Sequence, residues 1–320
     1  MDDTDLRLCT LLLQNSRAPL AHLAKGVGTS APSAFRRLDS LLDSRVIRDF
    51  TSHISLRYLN AVFVQVFGVS NSRCFEETAL KLAENSRTAR VLIGSGNYAI
   101  VSGYLRAKSE LDQYAAFVRK VALIPHPTIG VVGAVQYGSE NILKPVDRRK
   151  KLSLLDYRII NSLHLNSRKT FKDVGRELDV SARSVRMHIA RMIREGTVMF
   201  TLLWDPGMTS GVSSFTRIVL KPRTKADRFR NELMRIHEPR IVSAVSYRNL
   251  PDTLMCRIWS PTRAEHAQLL DKISSASAVH RVFSCVLLRE YGFVTWRDGI
   301  LRSRCGLDSS TARHPLPAST

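Results

Sequence analysis

The chain has 320 residues, 44% of them hydrophobic and 24% charged, with a formal charge of +20 at pH 7. That length suits about two domains of ordinary size, and the apolar content excludes a disordered chain. No apolar run approaches the roughly 20 residues that span a bilayer, and the excess of cations points to a polyanionic partner, since each Lys or Arg set against a phosphate releases a counterion.

Residues 5–13 are apolar at helical spacing, and Asn15-Ser16-Arg17 breaks that helix. A short second helix is predicted over 20–27 and a turn at Gly28-Thr29. Ser30 is a natural N-cap for a third helix running to about residue 44. A short helix, a tight turn and a capped helix make a helix-turn-helix, whose last helix can enter the major groove. Val46-Ile47-Arg48 then reads as an extended wing. A second pattern follows: strand 61–69, helix 75–85, strand 90–93, a turn at 94–97, strand 98–105, helix 109–123 and strand 129–137. The order βαββαβ is that of a ferredoxin-like sheet with two helices on one face.

The polar stretch 138–151 ends in four consecutive bases and reads as a linker. Beyond it the first pattern returns. Residues 156–198 align without a gap on 5–47 at a constant offset of 151, with Asp5 on Asp156, Arg7 on Arg158, Leu12 on Leu163 and Asn15-Ser16-Arg17 on Asn166-Ser167-Arg168. Ser181 falls on Ser30 and caps a helix predicted to reach Glu195, with Val198-Met199-Phe200 as the second wing. The sheet pattern also recurs, at 215–220, 225–236, 241–247, 254–259, 262–274 and 282–290. The fold class is therefore α+β, in two tandem modules, each a winged helix-turn-helix followed by a ferredoxin-like βαββαβ domain. The expected divisions are 1–55 and 56–140, a basic linker 141–152, then 153–208 and 209–301, with 302–320 as a disordered tail.

Charge is loaded on the second module. Residues 1–147 hold 17 basic and 13 acidic side chains, while residues 148–320 hold 31 and 15. The opening MDDTDLR is acidic and unlike a signal peptide, so a cytoplasmic protein without membrane contact is expected. Five cysteines (Cys9, Cys74, Cys256, Cys285 and Cys305) have neither metal-ligand spacing nor an even count. Nine histidines form no cluster in sequence. No metal, cofactor or catalytic set is expected.

The opening Asp5-Leu6-Arg7 and Leu155-Asp156-Tyr157, the paired Asn-Ser-Arg turns, the segments VGTSAPSAFRRLDSL and LDVSARSVRMHIARMIREGTV, and the glycine turn in IGSGNYAIVSGYL together resemble the leucine-responsive regulator/AsnC family of transcription factors. The resemblance covers nearly the whole chain, twice, and departs from the family where Arg45 replaces a glycine, Asn97 an acidic residue and Arg248-Asn249-Leu250-Pro251-Asp252 the second glycine turn. It implies a non-enzymatic, sequence-specific regulator of double-stranded DNA. It further implies an amino-acid-like effector near the glycine turn, at Gly94, Gly96 and Asn97, and a homodimer or larger assembly. Because one chain holds both modules, they are expected to pair as an internal pseudo-dimer on an asymmetric operator.

The expected DNA-contacting residues are Ser181, Arg183, Ser184, Arg186, Met187, His188, Arg191 and Arg194 on the second recognition helix, with Arg149, Lys150 and Lys151 in the basic linker. On the first helix they are Ser30, Ser33, Arg36 and Arg37. The alternative is a tetrapyrrole enzyme, since sirohaem decarboxylases share the two-part architecture in fused forms of this length. Such an enzyme needs histidines and cations converging on an anionic macrocycle.

Overall fold

The structure, a computed structural model, describes residues 1–138, 140–141, 146 and 151–306. The first helix-turn-helix is α1 (Asp3–Gln14), α2 (Leu20–Val27) and α3 (Ala31–Asp43), followed by strand β1 (Ile47–Ile54). Asp2 and Asp5 form a capping box on α1, and Ser30 caps α3 by accepting from the Ser33 N–H. The βαββαβ unit comprises β2 (Val62–Val69), α4 (Phe75–Ala83), β3 (Thr88–Gly94), β4 (Tyr98–Leu105), α5 (Leu111–Val121) and β5 (Thr128–Tyr137), with a short β6 (Glu140–Asn141). The second module repeats the plan: α6 (Leu154–Ser162), α7 (Phe171–Leu178), α8 (Ala182–Glu195) and β7 (Val198–Trp204). Its sheet unit is β8 (Val212–Leu220), α9 (Ala226–Ile236), β9 (Ile241–Tyr247), β10 (Thr253–Ser260), α10 (Arg263–Ser274) and β11 (Val279–Gly292). The offset is kept even where the residue type argues against it. Arg45 takes the left-handed conformation (φ 56°) that Gly196 takes after α8 (φ 66°), a conformation that costs an L-residue about 1 kcal/mol.

Within each module the sheet has the ferredoxin-like order, fourth strand, first, third, second: β5-β2-β4-β3 and β11-β8-β10-β9. Neither sheet ends at its own edge. The first part of β5 (Thr128 to Val131) pairs with β2, and the rest (Val132 to Tyr137) crosses to β9. Likewise β11 pairs with β8 up to Val286, then with β3 from Leu287 to Gly292. Eight strands thereby close into a ring, which leaves no long unpaired edge. Phe67, Leu92, Ile100, Val132, Val135, Val245, Tyr247 and Met255 fill the space between the two sheets. Helices α4 and α5 cover one outer face, and α9 and α10 the other.

The wings are exchanged as well. Instead of each folding back on its own module, β1 and β7 pair antiparallel with each other, from Ile47 opposite Trp204 to Ile54 opposite Val198. Leu202 and Trp204 complete the core of the first helix-turn-helix, and Ile54 that of the second. The two Asn-Ser-Arg turns meet at this junction. Ser16 and Ser167 share a buried hydroxyl–hydroxyl hydrogen bond of 2.6 Å. Arg17 donates to the carbonyls of Ser167 and Lys169, and Arg168 to those of Ser16 and Ala18. The guanidiniums lie over the Phe171 and Phe50 rings. Burial, then the neighbouring Arg168 charge, push the Arg17 guanidinium down to about 10.

One expected boundary shifts. Residues 296–304 form a further helix, α11 (Trp296–Arg304), which packs on α6 and β1. Its Thr295–Asp298 capping box starts it, and buried Trp296 and Leu301 anchor it. The expected tail therefore starts inside a helix at 302–304, and residues 307–320 lie outside those described. So do most of the linker and, with it, Arg149 and Lys150.

Removing either arginine of the junction should loosen the whole pairing. Arg17→Ala and Arg168→Ala are each expected to cost about 2 kcal/mol, the loss of charge-assisted bonds to backbone carbonyls. The double variant should cost less than the sum, because both arginines serve one junction. Urea unfolding followed by circular dichroism reads this; unchanged midpoints in both single variants would refute the clasp.

Candidate nucleic-acid interface

Helices α3 and α8 pack one face on their modules through Ala34, Leu38 and Leu41, and through Val185, Ile189 and Met192. The spacing of those apolar residues turns the remaining positions outward. On α8, Arg183, Arg186, Met187 and Arg194 are exposed; on α3, Arg36 is. Ser30 and Ser181 are exposed caps whose hydroxyls accept from the N–H groups of Ser33 and Ser184, so they shape the helix starts. Ser33 and Ser184 are half-buried at those starts. Lys151 is exposed ahead of α6.

Three of the expected contacts face elsewhere. Arg37 is paired with Asp2 and Asp5 at 2.9 and 2.7 Å. His188 and Arg191 both reach Asp156, at 2.7 and 2.5 Å. The helix pattern alone put these side chains on the DNA side, but they lie at its flank. There an acid on the first helix of the same unit captures them. The Asp156 side chain has no exposed surface. Burial works against its charge, yet the hydrogen bonds from Arg191, His188 and Ser153 outweigh it and hold the pKa below the usual value.

An exposed residue went unrecognised in the sequence. Phe35 is 56% exposed and Met187 58%, both beside an exposed arginine. At the offset of 151, Phe35 falls on Arg186 and Arg36 on Met187. Each recognition helix therefore presents one apolar and one guanidinium side chain at the same two positions, in opposite order. Arginine suits guanine edges and phosphates, and an apolar group suits the thymine methyl.

The residues expected near an effector shape a turn at the crossing of β11. A Cβ on Gly94 would stand 2.7 Å from the Cys285 Sγ, where β11 crosses between modules. Gly96 and Asn97 supply the left-handed turn (φ 67° and 57°), and the Ser95 hydroxyl accepts the Val286 N–H. Two basic clefts lie elsewhere in the molecule. One, of about 340 Å³, is lined by Arg57, Arg106, Lys108 and Arg248 among others; the second is lined by Lys225, Arg228, Arg230 and Arg248. Nor are all the histidines scattered in space. His53 and His164 meet Asp298, with ligand atoms within 4.8 Å of one another. No helix among the described residues is long and apolar enough to cross a membrane.

Residues 1–42 match the AsnC-type helix-turn-helix domain, and residues 152–199 match a winged helix-turn-helix DNA-binding domain. An HTH-type transcriptional regulator of Mycobacterium tuberculosis is 37% identical over 70 residues, 21% of this chain and 47% of that protein. The chain thus spans about half the length of that relative. An HTH-type transcriptional regulator of Pyrococcus furiosus is 30% identical over 109 residues, 34% of this chain and 74% of that protein. The tandem fold is shared with the siroheme decarboxylase NirDL over 89% of this chain and 91% of that one, with a TM-score of 0.55 at 12% identity. Two helix-turn-helix matches and a regulator aligned over three quarters of its length place the chain in the Lrp/AsnC family of transcriptional regulators.

Proposed function

We propose that this regulator binds an asymmetric operator through both recognition helices of its internal pseudo-dimer. One observation carries the reading. The exchanged wings and the Ser16–Ser167 junction hold together two recognition helices whose exposed side chains differ, Phe35 and Arg36 against Arg186 and Met187. A symmetric homodimer presents two copies of one surface and so favours a palindrome. This chain presents two surfaces and favours unlike half-sites. The second helix, with three exposed arginines, supplies more of the phosphate and base contact. The first, with Arg36 beside Asp39 and Asp43, supplies less.

Double-stranded DNA is accordingly the partner, cytoplasm the compartment, and catalysis no part of the role. An amino-acid-like effector enters through the family resemblance, as does assembly of pseudo-dimeric chains into homodimers. The cleft lined by Arg57, Arg106, Lys108 and Arg248 is better equipped for a carboxylate than the glycine turn is. The enzyme reading is supported by the fold shared with NirDL alone, and neither basic cleft is lined by a histidine.

Binding sites selected from genomic fragments, followed by fluorescence anisotropy at two salt concentrations, test the proposal. Arg186→Ala should weaken binding by about tenfold or more, the loss of one base-edge contact. Arg36→Ala should cost less. Joining either half-site to its own mirror image should lower affinity. Equal affinity for both palindromes would sink the asymmetric operator; salt-insensitive binding, or a tight Soret band with sirohaem and no DNA binding, would sink the regulator reading.

Asp156 links the same interface to pH. Its folded pKa is lowered, so its stabilising contribution is full above the ordinary carboxylate value of about 3.9 and is lost as pH falls through the lower folded value. Asp156→Asn should therefore cost about 2 kcal/mol at pH 7. Denaturant midpoints of variant and parent should converge as pH falls below the ordinary carboxylate range, and a gap independent of pH would contradict this.

A further inference from the structure

We propose that His53, His164 and Asp298 form a binding site for one divalent transition-metal ion of the zinc type, fastening α11 to the helix-turn-helix layer. The three come from distant parts of the chain. His53 lies on β1, His164 just after α6, and Asp298 in the first turn of α11. The His53 Nδ1 is 3.5 Å from the Asp298 Oδ1, and the His164 Nε2 is 3.9 Å from the same oxygen. The two rings meet edge to face, with centroids 5.2 Å apart.

The surrounding hydrogen bonds decide which atoms carry protons. The Thr51 hydroxyl donates to the His164 carbonyl at 2.7 Å, so toward the His53 Nε2 at 3.4 Å it can only accept. That places the proton on Nε2 and leaves the His53 Nδ1 with a bare lone pair. The His164 Nδ1 lies 2.8 Å from the Ser52 carbonyl, an acceptor, so Nδ1 carries the proton and Nε2 the lone pair. The Asp298 Oδ2 accepts from the Thr295 N–H and hydroxyl at 2.8 and 3.0 Å, which fixes the carboxylate and leaves Oδ1 without a partner. Three electron-pair donors thus converge with no hydrogen among them. The buried His53 Nδ1 also has no hydrogen-bond partner.

A cation resolves this convergence. Two imidazole nitrogens and a carboxylate oxygen suit zinc and its first-row neighbours better than magnesium or calcium. Ligands held at about 2.0–2.1 Å from a tetrahedral ion stand roughly 3.4 Å apart, close to the 3.5 and 3.9 Å that separate the two histidine nitrogens from the Asp298 Oδ1. The outer bonds that the imidazoles donate to the Ser52 carbonyl and the Thr51 hydroxyl match the second-shell acceptors that orient metal-bound histidines. Arg297, whose Nε is 4.0 Å from the Asp298 Oδ1, is the competing counter-charge. Its guanidinium lies over the Tyr104 ring, and it makes no hydrogen bond to the Asp298 Oδ1. At the offset of 151 His164 falls on Leu13, so the first module has no equivalent and one ion per chain is expected. The neighbouring Trp296 bonds the Tyr104 and Ser86 carbonyls of the first sheet domain. The ion would therefore tie the DNA-binding layer to the sheet layer.

The full chain, stripped of metal by chelator dialysis, is titrated with Zn²⁺ and separately with Co²⁺. Expected are one equivalent per chain, a visible Co²⁺ spectrum of nitrogen and oxygen ligation, and a Tm raised by roughly 5 °C at a hundredfold excess over Kd. His164→Gln and Asp298→Asn should each weaken binding at least about tenfold, and His314→Ala in the C-terminal segment should leave it unchanged. Should the site variants fail to fold, the Co²⁺ spectrum of the parent chain decides. Thiolate charge-transfer absorption would place the metal at a cysteine and overturn the site, as would the absence of stoichiometric binding or retention of full affinity in both folded variants.

Discussion

Backbone amides at the edge of a sheet must find partners or stay exposed to water and to other chains, and the architecture follows from how this chain meets that demand. Each four-stranded sheet has two edges, and each edge is paired by the other module. The fourth strand of each sheet, β5 or β11, does this by running past its own module onto its neighbour's second strand. Once the sheets are joined, their inner faces bury a common core, and the helix-turn-helix units are brought together. Exchange of β1 and β7 then makes each of those cores depend on the other module.

The same economy of partners operates among the charges. A recognition helix rich in arginine must hold some of its cations for structure and release others to the ligand. Asp156, wholly enclosed, pairs with Arg191 and His188, while Asp5 and the exposed Asp2 pair with Arg37. The remaining exposed set is smaller than the net charge suggests and differs between the copies. Asp156 and its counterpart Asp5 are both shielded, whereas the added bond from Arg37 to the exposed Asp2 contributes little.

Much of this could be read from the sequence because local rules govern it. The caps at Ser30 and Ser181, the Gly28 turn and the alternating strands all follow from short-range chemistry, and the constant offset exposed the duplication. What depended on partners far along the chain could not be read. Val46-Ile47-Arg48 announces an extended segment but not that its partner is β7. Asn15-Ser16-Arg17 reads as a helix break in either copy, and only the fold shows that the two breaks touch. Arg191 and Arg194 look alike on a helical wheel until Asp156 separates them. Helix α11 was hidden because WRDGILRSR is mostly polar and two of its four buried side chains, Arg297 and Asp298, are charged. His53, His164 and Asp298 are separated by more than a hundred residues at each step, too far for any spacing rule.

The exchange of wings also sets a timetable. Leu202, Trp204, Val242 and Trp259 belong to the core of the first helix-turn-helix, so a ribosome that has delivered only the first 150 residues has made a unit lacking part of its interior. Closing such long loops is slow compared with local helix formation. Until the later segments emerge, β1 and the apolar faces of α1 and α3 lack the strand that covers them, a state that invites chaperones and pairing with sister chains. Two separate genes for the modules would meet that hazard at every encounter; fusion confines it to a single passage through translation.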